Sequence, residues 1–113
     1  MEKVELIQFA EDRALARAAA VAWWELMAEE RGTRSLHCMA LSGGRIARPL
    51  FAEVAVGARG REALFNSVHF FWADERCVPP TDPESNFALT NEHLFQPLKI
   101  APDKIHRIPG ELS

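Results

Sequence analysis

Two short polar runs, each following an apolar stretch, hold the residue types that act on charged ligands: Ser42-Gly43-Gly44-Arg45 after LHCMAL, and Asp74-Glu75-Arg76 after SVHFFWA. In the first run, unpaired backbone N–H groups, a hydroxyl and the positive end of a following helix would suit an anion, phosphate above all. The glycines permit positive φ and let the main chain approach phosphate oxygens with no Cβ in the way. Arg45 adds a cation beside the turn. The same pattern also serves as a plain tight turn with a solvated arginine, and both readings stand at this level. In the second run, three consecutive charges leave an aromatic strand and must either pair or meet a ligand where water is excluded. They build one wall of a site, or Arg76 pairs with Asp74, Glu75 or Glu84 and ties down the proline-rich loop.

The other reactive side chains carry less information. His37 and His69 lie within apolar strands, where a core histidine bonded to backbone is the expected role; His93 falls in a helix and His106 in a Pro-flanked strand. None has the spacing of a metal site or of a Ser-His-Asp arrangement. Neither Cys38 nor Cys77 has a second Cys or His at metal-ligand spacing beside it, which fits reduced thiols and no metal. Trp23, Trp24 and Trp72 read as packing residues. Thirteen Lys and Arg against sixteen Asp and Glu give a formal charge of -3 with no basic block, so nucleic acid is not an expected partner. The opening MEKVELIQF lacks the features of a signal peptide and no run approaches a membrane span, so the expected setting is the cytoplasm.

Both polar runs need a scaffold, and 113 residues with 48% apolar composition are enough for one core. Val4 to Phe9 reads as a first strand. Asp12 to Arg31 reads as a long amphipathic helix with Leu15, Ala18, Ala19, Ala22 and Leu26 on its apolar face and Gly32 as its stop. Leu36 to Leu41 reads as a central strand covered on both faces, and Ile46 to Val56 as a helix burying Ile46, Leu50, Phe51 and Val54. Ser67 to Ala73 is a third strand. Ser85 or Asn86 caps a helix running to Phe95, and Lys104 to Ile108 forms a short last strand. Alternation of this kind predicts an α/β, Rossmann-like three-layer fold with a mostly parallel sheet. Both polar runs then fall at the carboxyl ends of strands, where such sheets bind ligands.

The run FFWADERCVPPTDPESNFALTNEHLF, Phe70 to Phe95, closely resembles a hallmark of the 6-phosphogluconolactonases. LSGGRIARPLF takes the place of their Ser-Gly-Gly phosphate loop, and KIHRIPGE, Lys104 to Glu111, is also similar. The resemblance implies that residues 1–113 are a partial domain, the N-terminal half of the family fold, in the glucosamine/galactosamine-6-phosphate isomerase superfamily. It implies hydrolysis of 6-phosphogluconolactone to 6-phosphogluconate in the pentose phosphate pathway, with no cofactor. Ser42, Gly43, Gly44 and Arg45 would hold the substrate phosphate, with Asp74 and Arg76 lining the reacting end. The chain departs from the family at Arg45-Ile46-Ala47, where relatives have Ser-Thr-Pro, and its 113 residues contain no Asp-Gly-His segment, the family's source of a general base. A missing base removes a contribution of about 10² to 10⁴-fold. Three alternatives therefore remain: a non-catalytic phosphosugar-binding module, an inactive truncated fragment, or a glucosamine-6-phosphate deaminase, whose members tend to carry Asp-Glu-Tyr at Asp74-Glu75-Arg76. An uncovered sheet edge would also allow self-association.

Overall fold

A computed structural model describes residues 3–30 and 37–112. Helix α1 spans Asp12–Glu30, strand β1 His37–Leu41, helix α2 Ala47–Gly57 and strand β2 Val68–Trp72. Beyond the proline-rich loop, α3 (Asn86–Thr90), a π-helical turn (Asn91–Phe95) and α4 (Gln96–Leu98) run on continuously. The strands pair in parallel with Leu41 opposite Trp72, so both end at the same rim and release their loops side by side.

Packing follows from alternation along the strands. Leu41, Val68, Phe70 and Trp72 point into a core shared with Phe51 and Val54 of α2 and with Leu94, Phe95 and Leu98. Phe70 is 0% exposed and meets Phe65, stacked with centroids 6.1 Å apart, and Phe95, edge-on at 5.0 Å. Burying one such ring contributes about 1.5–3 kcal/mol. The opposite face of the sheet, with Cys38, Ala40 and Phe71, is exposed among the described residues. The expectation of strands covered on both faces is corrected accordingly: the helices described here cover one face.

Other expectations shift in detail. Residues 3–9 form no strand, and Val4, Leu6 and Ile7 are largely exposed, because among the described residues no strand pairs with them. The first helix forms as expected, but its buried stripe is Ala16, Ala20, Trp24 and Met27, while Leu15 and Leu26 are 38% and 45% exposed. At about 100° per residue the two stripes are centred roughly 135° apart around the helix, and Trp24, edge-on to Phe65 at 5.2 Å, anchors the inward one. Gly32 and Leu36 lie outside the described residues. The helix expected to stop at Phe95 continues to Leu98 and ends at Lys99, in the left-handed conformation. A π turn stands just before Pro97, a local widening that accommodates a residue with no N–H to donate. The expected strand from Lys104 to Ile108 shrinks to one parallel bridge, Phe70 to Ile105, after a 3₁₀ turn at Pro102–Lys104.

Candidate functional site

At the end of β1, Ser42 is exposed, and Gly44 turns the chain with φ +104° so that α2 begins at Ala47. The amino end of α2 thus faces the same rim as Ser42 and Gly43, which places the positive end of the helix dipole there, the sign an anion needs. Among the described residues no side chain caps α2; Ala47 N–H bonds back to the Gly44 carbonyl at 3.1 Å. A groove of about 500 Å³ runs along β1 between α1 and α2 and reaches Ser42 and Gly43, lined elsewhere by apolar side chains such as Trp23, Met39 and Leu50.

The loop after β2 is organised by Glu75. Its carboxylate accepts from the backbone N–H of Arg76 at 2.7 Å, Asn86 at 2.7 Å and Phe87 at 3.1 Å, and from the Ser85 hydroxyl at 2.8 Å. Burial pushes this carboxyl up, but the four hydrogen bonds outweigh it and hold its pKa below the ordinary glutamate value. The Ser85 hydroxyl in turn accepts from Ala88 N–H at 3.1 Å, so of the two caps the sequence offered, Ser85 and Asn86, Ser85 is the one used, with Glu75 seated over the same helix end. Glu75 is therefore a structural clasp for the loop.

Asp74 and Arg76 point elsewhere. Asp74 is exposed, and its side-chain Oδ1 accepts from Asn86 Nδ2 at 3.3 Å. Arg76 lies 3.7 Å from Glu84, one of the three partners the spacing allowed. Arg45 reaches across to Asp12 at the start of α1, at 3.4 Å. Both ion pairs are solvent-exposed and so contribute about 0–1 kcal/mol, little enough for either arginine to exchange its carboxylate for a phosphate. The two loops meet through Asn86, whose side chain lies against Gly43 and bonds Asp74. Ser42, Gly43, Gly44 and Asp74 are brought to one rim; Arg45 and Arg76 are held at its margins.

A second support stands behind the loop. Gly110 packs against the Arg76 carbonyl so closely that a Cβ would overlap it. Nearby, Arg107 and Glu111 form a two-pronged pair at 2.6 and 3.1 Å, with the Arg107 guanidinium 5.7 Å from the Phe87 ring centroid. The hydrogen bond from Arg107 holds the Glu111 carboxyl down at about 2. Gly110 and Arg107 meet Arg76 and Phe87 far along the chain, which no local pattern signals, while the Arg107–Glu111 pair is local, four residues apart. The histidines also differ from expectation: His69 bonds His106, Nδ1 to Nε2 at 2.8 Å, instead of backbone, and His93 accepts from Arg48 Nε at 3.2 Å. The bridge at Ile105 sets His106 beside the sheet face that carries His69, which explains the pairing.

Residues 10–113 match the family model described as glucosamine-6-phosphate isomerases/6-phosphogluconolactonase. Among curated relatives, the 6-phosphogluconolactonase of Treponema pallidum is 44% identical over 79 residues, 70% of this chain and 32% of that protein. That of Haemophilus influenzae is 40% identical over 73 residues, 65% of this chain and 32% of that protein. The crystal structure of 6-phosphogluconolactonase from Thermotoga maritima superposes with a TM-score of 0.71 at 27% identity, covering 96% of this chain and 46% of that one. The chain thus spans about a third of the length of the curated relatives it matches. The α/β fold is Rossmann-like with a parallel sheet, represented here in part.

Proposed function

The chain belongs to the glucosamine-6-phosphate isomerase/6-phosphogluconolactonase family, and from that premise we propose that residues 1–113 are a partial 6-phosphogluconolactonase-like domain carrying the phosphosugar end of its site. Ser42, Gly43 and Gly44 with the amino end of α2 hold the phosphate, and Arg45 exchanges Asp12 for it. Asp74 and Arg76 line the reacting end, where Arg76 steadies charge on the lactone oxygen as water attacks. A phosphate of about -1.5 to -2 charge supplies binding energy remote from the carbonyl, which orients the lactone for attack. The reaction is hydrolysis of 6-phosphogluconolactone to 6-phosphogluconate, a step of the pentose phosphate pathway, and its general base comes from sequence outside these 113 residues. One observation carries the reading: parallel strands end in register and set the Gly43 turn against the residue that holds Asp74.

The reading supports lactonase over deaminase chemistry because Arg76 stands where the deaminases tend to carry tyrosine, and because the relatives described above are lactonases by name. The same proposal places the protein in the cytoplasm; no helix among the described residues is long and apolar enough to cross a membrane. It also assigns the edge of β1 away from β2 to self-association when these 113 residues stand alone. Sedimentation that shows a monomer at every concentration would remove that part. The activity is tested by joining a family Asp-Gly-His segment to this chain and following lactone hydrolysis. Turnover that disappears in Asp74→Ala supports the proposal, and a folded, extended protein without turnover contradicts it.

A further inference from the structure

Asn86 has no role in the reading above, yet it is the residue that touches both loops. It is 6% exposed and opens α3 directly after the Ser85 cap. Its Nδ2 donates to the Asp74 main-chain oxygen at 3.2 Å and to Asp74 Oδ1 at 3.3 Å. Its backbone N–H is fixed independently by Glu75. On its other side the amide lies so close to Gly43 that a Cβ there would overlap the side-chain oxygen. A neutral amide suits this position: it offers donors to a carboxylate without adding charge beside it, which neither aspartate nor leucine can do. Moving it away from Gly43 would break the bonds to Asp74, because the side chain is buried and short.

We infer that Asn86 is a positioning residue that fixes the separation between the Gly43 turn and the Asp74 carboxylate, and so the span between the phosphate end and the reacting end of a phosphosugar. The clamp stands on geometry alone; its functional half rests on the phosphosugar reading. Misplacement by about 1 Å at such a site costs on the order of 10²-fold in rate, which is why a spacer between the loops matters.

Two measurements test it. The first needs no ligand: thermal melts of Gly43→Ala, Asn86→Ala and the double variant. Gly43→Ala alone lowers the melting temperature by roughly 4 °C or more, and the same change made in Asn86→Ala adds little, because the overlap has gone; additive losses overturn the clamp. The second is calorimetric titration with 6-phosphogluconate at pH 8 and pH 5, at a temperature where every variant is folded. Asn86→Ala weakens binding by about tenfold, the loss of one hydrogen bond to a charged group, at both pH values. Asn86→Asp is equally weak at pH 8 but recovers at pH 5, because two carboxylates in contact share one proton and acid restores a donor toward Asp74. Glu75, the other carboxylate of this loop, accepts from the Asn86 backbone N–H and is common to all variants. A residue that only stabilised the fold would shift melting but leave affinity and its pH profile unchanged, and that result overturns the inference. Wild-type protein that takes no 6-phosphogluconate removes the phosphosugar reading and the positioning role with it, while the melts still decide whether the clamp exists.

Discussion

Replacing Glu75 separates the clasp from the chemistry of the loop. The carboxylate accepts four hydrogen bonds, two of them from backbone amides at the start of α3, where no helical partner exists. Glu75→Gln leaves a single acceptor oxygen and places an NH₂ against N–H donors. Hydrogen bonds to a charged acceptor contribute about 1.5–3 kcal/mol each when buried, but Glu75 is half-buried and water can replace part of the set. A loss of about 2 kcal/mol is the working figure, comparable to removing a strong helix cap. For a domain near 100 residues this lowers the melting temperature by roughly 8–16 °C. The acid limb gives an independent check. Because the folded-state pKa of Glu75 is depressed, its contribution is complete above the unfolded value of 4.5 and is lost as pH falls through the lower folded value. Melting temperatures of wild type and Glu75→Gln, measured by circular dichroism from neutral pH into acid, should therefore differ most near neutrality and converge once the pH has fallen through the folded-state value, below 4.5. Equal stability at pH 7, or a gap that stays constant into acid, would refute the assignment of Glu75 as the clasp.

Gly110→Ala should displace the Arg76 main chain, since the added Cβ overlaps its carbonyl; amide shifts at Arg76 to Val78, with loss of the Val78 N–H to Arg76 O bond, would show it by nuclear magnetic resonance. Arg107→Ala should let the Glu111 carboxyl rise from about 2 toward the ordinary glutamate value, read from its carbon shift against pH, with only a small change in melting because the pair is at the surface. Phe70→Ala, which empties the 0%-exposed centre of the core, should cost about 3–5 kcal/mol and leave a poorly cooperative melt.

Local signals in the sequence located the helices, both strands and the Ser85 cap, because periodicity and capping act within a few residues. What they missed depends on partners far along the chain. Helix α1 could be seen, yet its inward face was decided by Trp24 meeting Phe65, some forty positions away. The segment at Val4 to Phe9 has a strand's pattern, but a strand needs a neighbour and none is described for it. At the site, Ser42 to Gly44 and Asp74 fall at the strand ends that the α/β alternation predicts. The sequence could not show that Glu75 faces inward, that Arg45 and Arg76 rest on Asp12 and Glu84, or that Asn86 spans the loops. Spacing left three partners open for Arg76, and the folded loop pairs it with Glu84.

Backbone amide mapping during a titration with 6-phosphogluconate tests the central claim, that the two strand-end loops form one phosphosugar site. Saturable shifts should appear at Ser42 to Ile46 and at Asp74 to Arg76 with a common midpoint, and Ser42→Ala should weaken both sets together. Absence of saturation, or shifts confined to other surfaces, would contradict it.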